Sequence, residues 1–447
     1  MTMASEYPAS PSWGRILGYA AGSVGAGVYS TVPGILLLYF MTQVLLLPVA
    51  LASLAVLLPK LVVIAVDPLI GAWSDRTRSR WGRRRPFLLV GALLAAASFV
   101  LLFNAPALAT ETATFALMIG VYLLATLSYS VFSVPYVSLP SEMADSPRIQ
   151  SRIVGVRMIG VFSGVLLGAA APPLLVEALG GGAQGYGIMA TIIAGVSLTC
   201  MLVSILSVQE RPAPLQVSTS QDMLPLLKRI AAFPPFAWAF AIYIVIITGF
   251  GLKSAAAAYF VTYALEGGAA ALSSFFTAQV ATSLLTMAGW TWLASRVAYS
   301  RLLVAAVAIG AGGATMLYAC GPETPASLFI AGGIALGLAS AGVQVGAFSL
   351  LADVIVRFRR QDGAAAEGLM TGVWVAGEKL GLAFGPVLCG LILAAGGFVS
   401  GADRSVQTPE AIQAARVAMT LAPGLVIAAG GALLWIGRRR IDRQAGD

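Results

Sequence analysis

Six ionisable side chains fall inside long apolar stretches of this sequence: Lys60, Asp67, Arg157, Lys253, Glu378 and Lys379. A charge at the centre of an apolar helix costs ~2.5–3.5 kcal/mol on insertion scales, so such groups must face water or partners. The chain has no histidine, so proton chemistry falls to carboxylates and neither imidazole catalysis nor imidazole metal ligation is available. Asp67 and Lys379 are the candidates for handling a proton or another small cation. Lys60 and Lys253 read equally well as snorkelling or structurally paired lysines. Glu378 and Lys379 are adjacent and point ~100° apart on a helix, so they cannot both line one narrow stripe. No catalytic constellation, metal-ligand spacing or phosphate loop gathers around these groups, and no enzyme, metal or bound cofactor is expected. Cys200, Cys320 and Cys389 lie in or beside apolar runs and read as small hydrophobes.

The elements that carry these residues follow from composition. Of 447 residues, 58% are hydrophobic and 10% charged, against about 25% charged in a soluble domain. The apolar runs are long enough to cross a ~30 Å hydrocarbon core, and in lipid only helices or closed barrels satisfy the backbone. No alternating barrel pattern is present. Spans are expected near 15–46, 49–74, 86–104, 113–139, 152–178, 186–208, 233–265, 270–295, 301–320, 325–356, 366–396 and 413–437. The expected fold is thus an all-α membrane protein of twelve helices. Two six-helix bundles, 1–208 and 233–447, are joined by the polar linker 209–232. The net charge of +8 does not indicate nucleic acid, because the arginines cluster in alternate loops and in the tail. That positive-inside pattern puts both termini in the cytoplasm of a multi-pass protein of the bacterial inner membrane, surrounded by lipid. The start, Met1 to Ser12, is polar and reads as no signal peptide. The ends of spans four and ten echo each other, as do the ends of spans two and eight, which suggests parallel repeats. Glycines threaded through the helices read mostly as packing. Pro33, Pro59, Pro68 and Pro386 mark candidate kinks.

The end of the second span reads Asp67-Pro68-Leu69-Ile70-Gly71, then Asp75-Arg76-Thr77-Arg78-Ser79-Arg80-Trp81-Gly82-Arg83-Arg84-Arg85-Pro86. Val134-Pro135-Tyr136-Val137-Ser138-Leu139 with Glu142 follows in span four. Leu350-Leu351-Ala352-Asp353 closes span ten, and Glu367-Gly368-Leu369 and Glu378-Lys379-Leu380-Gly381 lie in span eleven. Spread over both halves, these elements resemble the glycoside–pentoside–hexuronide:cation symporter family, the melibiose-permease-like branch of the major facilitator superfamily. Plant-type sucrose transporters carry a related loop element. The resemblance implies symport of a small organic solute, such as a glycoside or hexuronate, with a cation, by alternating access of the two bundles.

Two departures qualify it. Family members carry a pair of carboxylates in span two, but here Val62 and Val63 stand in place of the tryptophan and the first aspartate. Burial disfavours the charged form of a lone carboxylate, so Asp67 suits reversible protonation better than sodium binding, and a proton is the expected co-transported ion, with Na⁺ or uncoupled transport as the alternatives. Gly27 and Ser133 occupy the family's acidic sugar-binding positions, which leaves Tyr29, Tyr129, Arg157, Gln279, Gln344, Trp374 and Lys379 as candidate solute contacts. Asp75 with Arg76, Arg80 and Arg83, together with Glu142 and Asp353, is the expected cytoplasmic gate, opened and closed by ion pairs. The chain is expected to act as a monomer on a small-molecule solute. Export or flipping of a lipophilic metabolite, and a non-transporting membrane assembly or receptor protein of the same fold, are the alternatives.

Overall fold

The computed structural model describes residues 11–144, 146–208, 223–362 and 366–442. Twelve helices among them are long and apolar enough to cross a membrane. These are α1 (Trp13–Gln43), α2 (Val49–Arg76), α3 (Arg85–Phe103), α4 (Glu111–Val137), α5 (Arg148–Ala178) and α6 (Gly182–Ser207). The second set is α7 (Pro234–Ala264), α8 (Ala269–Ala294), α9 (Tyr299–Ala319), α10 (Ala326–Asp362), α11 (Glu367–Ala395) and α12 (Pro409–Gly437). Every expected span is present, with ends that agree to within two turns. Residues 209–222 of the expected linker lie outside the described residues; its remainder forms the helix Met223–Ala232.

Contacts divide the chain into two compact units, Met1–Leu47 with Leu58–Val217, and Pro48–Leu57 with Ser218–Asp447. The first turns of α2 therefore group with the second unit. In unit 1, α1 packs on α5 and α6, while α3 packs on α4 and α6. In unit 2, α7 packs on α11 and α12, and α9 packs on α10 and α12. For α1 and α7, and for α3 and α9, the partners are the same after a shift of six helices.

Small residues make this packing possible, because helices in lipid are drawn together by close approach rather than by a hydrophobic force. Gly160, Gly164 and Gly168 form a stripe on α5. A Cβ at Gly160 would sit 2.6 Å from the Ala20 carbonyl oxygen, and one at Gly168 would sit 2.9 Å from that of Val28. Gly377, Gly381 and Gly385 form the equivalent stripe on α11 against α7, with Gly381 facing the Ile244 carbonyl.

The ends of α1 and α7 match in finer detail. Leu45 and Leu47 donate to the carbonyls of Phe40 and Met41, as Leu265 and Gly267 do to Phe260 and Val261. Leu46 (φ 57°) and Glu266 (φ 54°) take up the same left-handed conformation between them, which commonly closes a helix. Tyr39-Phe40-Met41-Thr42 thus aligns with Tyr259-Phe260-Val261-Thr262, a repeat separate from those read at the span ends. Of the prolines, Pro33 opens a π-helical turn at Pro33–Leu37, whereas α2 runs on as one helix through Pro59 and Pro68.

Candidate functional site

In unit 1, Asp67 lies on α2 one turn beyond Val63, half-buried beside a valine that is 6% exposed. Tyr129 of α4 stands within electrostatic reach of both Asp67 and Arg157 of α5. Arg157 also acts on Tyr19 and Tyr136, whose rings stack at 4.7 Å. Tyr136 Oη donates to the Tyr19 carbonyl at 2.6 Å and shares a 2.8 Å hydrogen bond with Ser23. Three expected residues, Asp67, Tyr129 and Arg157, are therefore gathered by α2, α4 and α5. Tyr29 is engaged otherwise: its hydroxyl donates to the Ala125 carbonyl at 2.9 Å and its ring stacks on Tyr129 at 4.9 Å.

The expected gate is differently wired. Arg84, unremarked in the sequence among six neighbouring arginines, is its hub. Its guanidinium donates to Asp75 Oδ1 at 2.9 Å, to the Pro135 carbonyl at 3.2 Å, and through Nε to Glu142. Arg83 adds a second donor to Glu142 at 2.5 Å. Arg84 and Glu142 are each 7% exposed. The cluster ties the end of α2, the start of α3 and the residues after α4 together, because the guanidinium fork can satisfy several acceptors at once. Arg76 and Arg80 are exposed and form no ion pair among the described residues. Asp353 pairs along its own helix with Arg357 at 2.5 Å.

In unit 2 the expected residues separate into two groups. Lys253, 1% exposed on α7, donates to Gln279 Oε1 of α8 at 2.5 Å. The rings of Phe275 and Phe276 lie 5.5 and 5.1 Å from its ammonium, an arrangement that favours a desolvated cation. Gln279 is thus held as a structural acceptor.

The second group is Trp374 and Lys379 of α11 with Gln344 of α10, joined by Glu378 and by Tyr243, which the sequence did not single out. Tyr243 of α7 stacks on Trp374 at 4.6 Å and 13°, and Trp374 is fully buried. Tyr243, Gln344 and Lys379 all act on the Glu378 carboxylate. The signal for Glu378 was available: a carboxylate inside a span is costly whichever face it occupies.

The chain matches the family described as MFS/sugar transport protein over residues 18–443. It is 26% identical over 412 residues to an isoprimeverose transporter of Lactiplantibacillus pentosus, covering 90% of this chain and 84% of that one. It is 24% identical over 417 residues to a putative glycoside/cation symporter of Escherichia coli, with coverage of 92% and 89%. Among solved structures, a bacterial homologue of the human lysosomal transporter Spinster superposes with a TM-score of 0.76 at 14% identity, covering 96% of this chain and 97% of that one. With twelve membrane helices and this match along nearly its whole length, the chain belongs to the MFS/sugar transport protein family, as its second-span motif predicts, and is a multi-pass plasma-membrane transporter, not an enzyme.

Proposed function

We propose that the chain imports a small glycoside together with a proton by alternating access. The observation that carries this reading is the grouping of Asp67 with Tyr129 and Arg157 inside unit 1, one turn beyond an apolar Val63. A lone carboxylate set among a tyrosine and a guanidinium can exchange a proton, whereas sodium wants several oxygen ligands. The relatives' names, an isoprimeverose transporter and a glycoside/cation symporter, support a glycoside as solute and a cation as its partner.

Asp67 carries the proton, and Lys379 contacts solute. In unit 1, Tyr129 and Arg157 supply aromatic surface and a polar contact, a mixture that suits a sugar ring. The Asp75–Arg84–Glu142–Arg83 cluster acts as the cytoplasmic gate. Residues 1–208 and 233–447 act as the two moving bodies within one monomer, with the arginine-rich loops and both termini cytoplasmic. An inside-negative potential adds ~2.3 kcal/mol of drive per charge per 100 mV.

The test is uptake of labelled isoprimeverose into proteoliposomes under an imposed pH gradient or, separately, a sodium gradient. Accumulation should follow the pH gradient and fall to the passive level in Asp67→Asn. Accumulation that follows only sodium overturns the proton reading. Gradient-driven uptake that persists in Asp67→Asn removes Asp67 from the coupling step.

A further inference from the structure

Two buried hydrogen-bond donors in unit 2 lack acceptors. Tyr243 Oη and Trp374 Nε1 make no hydrogen bond of ordinary geometry, although the residues are 1% and 0% exposed. Burying a donor without an acceptor is costly, so such pairs are uncommon and need a reason. The stacked rings are walled by Phe236, Phe240 and Phe348, which leaves the two polar atoms little choice of partner. The acidic group beside them is Glu378, which Tyr243 reaches electrostatically. Trp374 and Glu378 are four residues apart on α11 and so share one face of the helix. The neighbouring face carries Gly377, Gly381 and Gly385, packed on α7. Glu378 lies eleven residues beyond Glu367, the start of α11, or roughly 16 Å along the helix, close to the middle of a ~30 Å hydrocarbon layer.

We infer that Glu378 is a second proton-carrying residue of the transport cycle, with Tyr243 and Trp374 pre-placed to receive its ionised form. When the acid gives its proton to water, the resulting carboxylate turns toward the ring pair and accepts hydrogen bonds from Tyr243 Oη and Trp374 Nε1. When it takes a proton back, those bonds are released and Gln344 of α10 remains its polar neighbour. The groups facing it are Tyr243 from α7, Gln344 from α10 and Lys379 from its own helix. Helix α12 meets α11 at the distant Gly396, through Ala414 and Glu410. The inference rests on the proton-coupled reading and adds to it a carrier in the C-terminal unit, separate from Asp67.

Infrared difference titration of the full-length protein in proteoliposomes tests this without a solute. The wild type should show a carboxylic-acid C=O band that is lost as pH rises; Glu378→Gln should lack it and Asp67→Asn should retain it. Tyr243→Phe should keep the acid band and alter the carboxylate bands that replace it, since the hydroxyl serves only the ionised form. An unchanged acid band in Glu378→Gln overturns the assignment. So does accumulation of labelled isoprimeverose by Glu378→Gln that responds to an imposed pH gradient as steeply as the wild type. Failure of the Asp67 reading would leave the Glu378 band in place, so the two outcomes are distinguishable.

Discussion

Arg84 holds three acceptors at once in a place almost closed to water, and its loss leaves the Glu142 carboxylate with Arg83 alone. Breaking a buried ion pair from one side costs about 3–5 kcal/mol. Arg84→Ala should therefore lower thermal stability in detergent by about 3 kcal/mol, and Arg84→Lys should restore only part of it, since an ammonium cannot reproduce the fork. An Arg84→Ala protein that melts with the wild type would remove the cluster from any structural role. Lys253 offers a complementary case. Gln279→Leu takes away its amide acceptor, and an unmet buried donor costs about 1–3 kcal/mol; a fall of that size in unfolding free energy is expected, with Gln279→Glu tolerated better. The position of Asp67 within a membrane helix was legible in the sequence because it lies inside a long apolar run. Arg84 was not, because six arginines in one short loop look alike until the backbone turns one of them inward. Residue type alone does not reveal that the Tyr29 hydroxyl already donates to the Ala125 carbonyl, or that the Gln279 amide oxygen already accepts from Lys253.

At the scale of the helices, hydropathy alone located all twelve spans, because backbone satisfaction in lipid leaves few alternatives to a helix of that length. What hydropathy does not carry is which face of each helix meets which neighbour. That information sits in the glycines: Gly160, Gly164 and Gly168 let α5 lie against α1, and Gly377, Gly381 and Gly385 let α11 lie against α7. Gly164→Ala and Gly385→Ala each place a methyl group against the partner helix's backbone, which must then move. Both should yield little monodisperse protein on size-exclusion chromatography. Gly155→Ala on α5 and Gly372→Ala on α11 point a methyl into open space and should behave as the wild type or slightly better, as alanine favours helix by up to about 1 kcal/mol. Equal behaviour of all four variants would mean that the stripes do not set the packing. The matched caps at Leu46 and Glu266 stayed hidden in the sequence because neither is glycine, the usual marker of that conformation.

For the whole molecule, the repeated packing of α1 and α7, and of α3 and α9, is what parallel repeats in transporters of this kind would give. On the proposed mechanism, two carboxylates in different units, Asp67 and Glu378, each carry a proton. The family resemblance pointed to cation coupling; the valine at position 63, where family members carry a second carboxylate, is why a proton is proposed as that cation. Lipid vesicles that contain the reconstituted protein and an internal pH-sensitive dye measure this most directly. Addition of isoprimeverose outside, with no pre-set gradient and no sodium, should acidify the interior of wild-type vesicles and leave the interior of Asp67→Asn vesicles unchanged. Solute entry with no movement of protons, or equal acidification in both proteins, would contradict proton symport through Asp67.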